Sequence, residues 1–587
     1  MNIFTRPLVA AATCCAVGGL LTSCFDDNYD LSDIDKTIRV DVNNLVVPIN
    51  LDSIYLSSII DIEPGDRLQV VDGQYAVIEN GRFNSSDIVI NRVHLNAPSI
   101  APTVNTISAA GLAGVAPKAE SMSLSYELYS QPTEFEYVGN GNEYVTAIER
   151  VYGDITIAAE LQFEGFGSLV KSITINNLEL QMPKGLTLSC DKGGQYDPET
   201  GVLRYSTLRT NAVRETITLH ITELDFAAMG GEYADMKASI KGQMQVLGGQ
   251  LVISTDDIST SADLSNLPRE ITMRGSYTMS AIDISLFTGS IRYDITGVNI
   301  NDVDLSDLPD VLSQEGTVVK IANPQLYLQA NNPLHDYNIV ATTGLKITSY
   351  PRYDGGVTRE SQLDNGTFNV TGSGSVEIAN FCLSPKAPAA PYEGFANAEH
   401  VPFTSLSDVL DCGNGLPSRL GVDLVDPRVP SQRVERFRLG VDLGSVNGKY
   451  TFLAPLQFGA GSKITYTDVL DGWASDDLAD IMITALEVNL TLNSDLPLGA
   501  VLTGYPIDRH GNQIGGVQVE GATVEANANN QQLKLHITGQ VNGAILDGLR
   551  FEAVVSAAES DQPLSPDMGL HVTNIRPCVS GYYQTEL

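Results

Sequence analysis

The sequence predicts an all-β fold made of tandem antiparallel β-sandwiches with a few short helices. Three observations lead there. Val, Ile, Thr and Leu alternate with polar residues along most of the chain, the period-two pattern of strands with one buried and one wet face. Turn formers interrupt these runs roughly every 8 to 12 residues, as in sandwiches. Short apolar phrases also recur, which points to a repeated unit.

The strands come first. Ile217, Leu219 and Ile221 alternate with Thr218, His220 and Thr222, and Leu533, Leu535 and Ile537 alternate with Lys534, His536 and Thr538. Asp72-Gly73 and Asp197-Pro198-Glu199-Thr200-Gly201 lie between such runs and read as turns. Helical patterns are confined to 305–313, 405–413 and the Ser475-capped segment 475–486. The units this implies are immunoglobulin- or fibronectin-like.

The recurring phrase is Ile88-x-Ile90-x-x-Val93-x-Leu95, repeated as Ile173-x-Ile175-x-x-Leu178-x-Leu180 and nearly as Val376-x-Ile378-x-x-Phe381-x-Leu383. Its three-residue middle step reverses strand parity, so a β-bulge or a bend is needed to keep both apolar pairs inside. Longer echoes accompany it. Ile347-Thr348-Ser349-Tyr350-Pro351 corresponds to Leu502-Thr503-Gly504-Tyr505-Pro506, each after a Pro-Leu turn, Pro333-Leu334 and Pro497-Leu498. Phe368–Gly372 parallels Leu535–Gly539, and Leu219–Thr222 echoes the latter. These matches suggest at least three copies of a sandwich-like unit, beginning near 160, 318 and 480, after a smaller N-terminal unit.

At 587 residues the chain is too long for one core. The expected organisation is a signal peptide at 1–23, an acidic tether at 24–45, an N-terminal β domain at 46–155, sandwiches at 156–290 and 291–400, and a C-terminal sandwich region at 401–587. Joints are expected at 97–118, at 256–270 and, as the foremost linker, at 384–397.

Apolar content of 43% with 18% charged residues indicates a folded chain. The 71 acidic and 35 basic residues give a net charge of −36, which repels phosphate backbones and argues against nucleic-acid partners.

The N-terminus carries Arg6, an uncharged stretch from Leu8 to Leu21, and then Leu21-Thr22-Ser23-Cys24. The basic and apolar regions suit an export signal. The quartet resembles the lipobox of bacterial lipoproteins, which implies cleavage before Cys24, lipid on its thiol and membrane attachment without a spanning segment. Phe25 stands where an Asp would be associated with inner-membrane retention, so the resemblance favours the outer membrane. Asp26 and Asp27 look like the surface-export signal of Bacteroidetes lipoproteins, implying a cell-surface location, with the periplasmic face as the alternative. Asp26, Asn28 and Asp30 have the spacing of a calcium loop, but Leu31 replaces its turning Gly and Thr37 its closing Glu. No metal or cofactor is expected.

Cysteines fall at 14, 15, 24, 190, 382, 412 and 578. After lipidation and signal removal four remain, compatible with disulfides or with buried free thiols. Cys382 and Cys412 are closest in sequence and form the first candidate pair.

Motifs for catalysis are sparse. No two of the seven histidines lie within 25 residues of each other, there is no GxSxG elbow, and the Gly-rich runs at 372–376 and 459–463 do not complete a phosphate loop. His94, His220 and His536 alternate with apolar neighbours and are expected on wet faces. The chain is therefore read as non-catalytic, with a binding or structural role. Its style is similar to surface glycan-binding lipoproteins of Bacteroidetes, whose sites use aromatic platforms; Trp473, the single tryptophan, and Tyr582-Tyr583 are the candidates. The expected partners are the membrane through Cys24 and a glycan or an envelope protein. The alternatives are a fimbrial or adhesin-type subunit and a glycan-processing enzyme with a carboxylate site.

Overall fold

A computed structural model describes residues 37–586 except 47–52, 61, 111–122, 211–212, 260–266, 472–480, 516, 540–546 and 558–561. Three strands near its start are β1 (Thr37–Val46), β2 (Gln74–Asn84) and β3 (Thr103–Ala110). The first sandwich contains β4 (Val145–Glu164), β5 (Ile173–Gln181), β6 (Val202–Thr210), β7 (Arg214–Asp225), β8 (Lys237–Ser254) and β9 (Glu270–Met279). The middle one contains β10 (Gln325–Asn331), β11 (Thr342–Tyr350), β12 (Phe368–Asn369), β13 (Ile378–Ser384), β14 (Arg419–Arg438) and β15 (Asn447–Pro455). The third contains β16 (Ile481–Ser494), β17 (Gly499–Ile507), β18 (Ala522–Val524), β19 (Gln531–Gly539), β20 (Gly548–Ser556) and β21 (Gly569–Glu586).

All three sandwiches have one strand order. The first, fourth and sixth strands make one sheet: β7-β4-β9, β13-β10-β15 and β19-β16-β21. The second, third and fifth make the other: β6-β5-β8, β12-β11-β14 and β18-β17-β20. Tyr350 of β11 and Tyr505 of β17 hold the same topological place, as do Leu219–Thr222 of β7 and Leu535–Thr538 of β19. Phe368–Gly372 begins in β12, a third strand, so its likeness to Leu535–Gly539 in a fourth strand is not an equivalence.

The N-terminal strands correct the expected domain scheme. Among the described residues, the strands of 46–155 do not make a separate N-terminal β domain. Instead β1 pairs with β21, β2 with β15 and β3 with β9, each antiparallel. The early chain thus lends strands to every sandwich, reaching the third first and the first last, before the sandwiches are built in the opposite order. The division at 155/156 falls inside β4. That at 290/291 falls inside Leu286–Asp294, which pairs with β4 on one side and β14 on the other. That at 400/401 separates β13 from β14 of one sandwich. The physical reason is strand length: β4 and β14 have 20 residues and β8 has 18, well beyond the common strand length. Each serves two neighbouring layers. β8, for example, pairs with Thr133–Asn140 along its first half and with β5 along its second.

Local signals held where geometry alone decides. Asp72 and Gly73 have φ of 50° and 79° and join Leu68–Val71 to β2 as a two-residue hairpin. In β5 the parity switch is a bulge at Asn177, φ 50°, where the register against β8 shifts. Ile173, Ile175, Leu178 and Leu180 are all buried in consequence, as are Ile88, Ile90, Val93 and Leu95. The third phrase departs: Phe381 and Leu383 are buried, but Val376 and Ile378 are 38% and 53% exposed.

Helices are short. Asp310–Ser313 forms one α-turn and Thr404–Leu410 a 3₁₀ segment. Of the third expected helix, 475–480 lies outside the described residues and Ile481–Leu486 is strand. There the alternating, partly β-branched sequence finds β21 and β19 on its two sides. Among the described residues no helix is long and apolar enough to cross a membrane.

Candidate functional site

The segment expected as the foremost linker, 384–397, is a loop folded onto the outer face of the middle sandwich. Its Phe395 is buried with Ala76, Ile78, Tyr327, Cys382 and Leu453, and Tyr392 packs at the edge of this cluster. The Phe395 ring lies 5.3 Å from that of Tyr327. Burial of these rings, which sequence spacing could not assign to a sheet, turns a Pro/Ala-rich stretch into a cover.

The cover stops part-way along the strands, so the outer face has an apolar, covered end and a polar, open one. Its side chains form cross-strand rows. Nearest the loop, Asn80 stands opposite Thr451, whose hydroxyl donates to Asn80 Oδ1 at 2.6 Å. In the next row on this face Arg82 stands opposite Lys449, and Lys449 opposite Gln329; Gln329 Nε2 donates to Asn380 Oδ1 at 2.8 Å. In the last row Asn84 lies between Asn299 and Asn447, and the Asn447 amide donates to Asn331 Oδ1 at 2.6 Å. Period-two alternation sends the β2 and β15 members of these rows outward, and cross-strand pairing sets the others beside them.

Two adjoining depressions, about 390 and 330 Å³, meet at Arg82. Asn84, Asn299, Asn301 and Asn447 line one, and Asn80, Tyr392, Glu393, Lys449 and Thr451 line the other. Lys449 Nζ sits 5.0 Å from the centre of the Phe395 ring. Burial pushes the Tyr450 phenol up to about 12, helped by Asp302, so its hydroxyl stays neutral and donates to the Asn301 carbonyl at 2.8 Å. The chemistry offered is amide donors and acceptors, two cations and an aromatic rim. Such a set can bind a hydroxyl-rich ligand.

No family model matches the chain and no curated protein matches it in sequence. Among solved structures, a Parabacteroides distasonis protein described as secreted is 12% identical, with 50% of this chain and 89% of that chain covered and a TM-score of 0.36. A Corynebacterium diphtheriae protein described as membrane anchored is 8% identical, with 87% and 97% covered and a TM-score of 0.10. Neither score establishes a common fold, so the architecture rests on the strand pairing of this chain.

The residues singled out from sequence are scattered. Cys24 and Trp473 lie outside the described residues. Tyr582 and Tyr583 are successive residues of β21 and so point to opposite faces; they cannot form one platform. Arg39 occupies the Tyr582 ring face, 3.9 Å from its centre. Cys382 and Cys412 are free, buried thiols, which corrects the disulfide expectation. Cys382 Sγ lies 3.7 Å from Ser384 Oγ on the outer face of one sheet, and Cys412 Sγ lies 3.6 Å from Ser349 Oγ on the opposing one. Burial pushes both thiols up.

His94 and His220 stand on exposed faces beside Asp283 and Asp154, whereas His536 is half-buried between Glu487 and Glu520. Among the described residues no three His, Cys, Asp or Glu side chains come together as a metal set. The residues missed from sequence are Arg82, Asn84, Tyr392, Asn447 and Lys449. Arg82, Asn84, Asn447 and Lys449 carried only an ordinary wet-face signal, and the register between β2 and β15 that aligns them comes from the fold; Tyr392 lay in the stretch read as a linker, and only the folding of that loop onto the sheet brings it to their side.

Proposed function

We propose that this is a non-catalytic lipoprotein of the cell envelope, attached through lipid on Cys24, that binds a glycan on the open outer face of its middle sandwich. The observation that carries the reading is the in-register row Asn299, Asn84 and Asn447 beside the Tyr392 rim. Planar amides in a row match the alternating donors and acceptors of sugar hydroxyls, and a half-buried tyrosine offers an apolar edge to a ring. The outer membrane and the cell surface are the location proposed. The stretch between Cys24 and Thr37 reaches at most about 47 Å, and β1 belongs to the third sandwich, so the tether would keep that sandwich near the bilayer.

A glycan array with purified protein tests the binding. Retention of at least one glycan, lost in Asn84→Ala/Asn447→Ala, is expected; no retention of any glycan would end this reading. For the anchor, an alkyne-tagged fatty acid should label the wild type but not Cys24→Ser, and equal labelling would remove Cys24 from its role.

A further inference from the structure

We infer that the ligand of this face is acidic: a polyhydroxylated anion whose carboxylate or sulfate sits between Arg82 and Lys449. The inference rests on the glycan reading and names its ligand class. Arg82 and Lys449 stand directly opposite each other on neighbouring strands, an arrangement that costs stability in a sheet. Neither makes an ion pair among the described residues, although acidic residues outnumber basic ones 71 to 35 and arginines such as Arg150, Arg204 and Arg433 are paired with carboxylates on the same kind of exposed strand surface. Two unneutralised cations side by side, at the junction of two depressions, make a local positive spot on a strongly negative molecule.

An anion there relieves the repulsion between the two cations. The guanidinium offers a planar fork to a carboxylate or sulfate, and the ammonium adds a point charge. The flanking Asn84 and Asn447 remain for ring hydroxyls, so charge and amides read one ligand together. The surrounding negative field disfavours polyanions elsewhere on the surface, which makes this spot selective. Glu393, on the rim of the second depression, opposes an incoming anion.

Binding of the detergent-solubilised full chain to dextran sulfate, polygalacturonate and neutral dextran, measured by calorimetry at two salt concentrations, tests this. The expected result is that at least one acidic polymer binds and weakens with salt, while neutral dextran binds more weakly or not at all; the two acids separate a sulfate from a carboxylate preference. Arg82→Gln and Lys449→Gln should each weaken binding about tenfold or more without lowering the melting temperature, and Glu393→Gln should tighten it. If neither acid binds while a neutral glycan is retained on the array, or if Arg82→Gln and Lys449→Gln bind acidic polymer as the wild type does, the acidic ligand class is wrong and the glycan reading survives. If no polymer and no arrayed glycan binds, both fall.

Discussion

The guanidinium of Arg39 covers one face of the Tyr582 ring, joining the first described strand to the last. Asp41 stands directly opposite Tyr582 and accepts from Arg39 Nε at 2.8 Å. The three side chains share one face of the β1/β21 pair, and Arg39 occupies one face of the Tyr582 ring.

Replacing Arg39 by Ala should therefore destabilise the third sandwich by about 0.5–1 kcal/mol, the range of an exposed cation–π contact. Calorimetric melting would show it as a shift of one transition only. A shift spread over every transition would contradict the assignment of β1 to the third sandwich.

Tyr350 faces Arg419 across β11 and β14, and Tyr505 faces Arg550 across β17 and β20. The guanidinium carbons lie 3.7 and 5.9 Å from the ring centres. A double-mutant cycle on Tyr350 and Arg419 should give a coupling of about 0.5–1 kcal/mol. The same cycle on Tyr505 and Arg550 should give less, and the reverse order would break the parallel between geometry and energy.

Asn177 carries the bulge of β5 at φ 50°, a conformation that costs a β-branched residue about 1–2 kcal/mol. Asn177→Val should lower stability by that amount in denaturant titration, whereas Asn177→Gly should be close to neutral. Equal losses in both variants would mean that the Asn side chain, and not the backbone angle, matters.

Asp257 is buried at the end of β8. Burial alone would raise its carboxyl, but bonds from the Ser172 and Ser254 side chains, the Ser254 amide and Arg209 outweigh it and hold it below the ordinary range. Ser172 Oγ lies 2.5 Å and Ser254 Oγ 2.6 Å from its oxygens, so one carboxylate ties β5, β6 and β8 together. Because the folded value is depressed, this stability is present above the unfolded carboxyl value of about 4 and is lost as pH falls through the folded one. Asp257→Asn should cost about 1–3 kcal/mol at neutral pH and lose less on acidification than the wild type; an unchanged acid slope would exclude this role.

How much could be read in advance varies element by element. The strands, the Asp72-Gly73 hairpin and the need for a bulge or a bend in the Ile173–Leu180 phrase were legible because period-two burial and turn chemistry are local properties; that Asn177 carries the bulge came from the structure. The repeat was legible at Tyr350 and Tyr505 because equivalent strands kept a motif. Phe368–Gly372 misled because β-rich segments resemble one another whatever their place. Ile481–Leu486 looked like helix because capping signals preceded it, and pairing with β21 decided otherwise. Of the candidate face, no residue stood out as part of a site: Arg82 and Lys449 are unremarkable wet-face residues until β2 and β15 align.

The order of residues by itself determined that this chain makes antiparallel strands, where many of them turn, that a motif recurs, and that its surface field is negative, because each depends on near neighbours or on a simple sum of charge. Partnership was decided only by the tertiary structure. Which sandwich receives β1, β2 and β3, whether Cys382 meets Cys412, and which side chains share a row all depend on contacts between residues far apart in the chain. Alternation specifies that a strand has an inside and an outside, but any apolar face of the right length could cover it, and the choice is made by how all the faces pack at once.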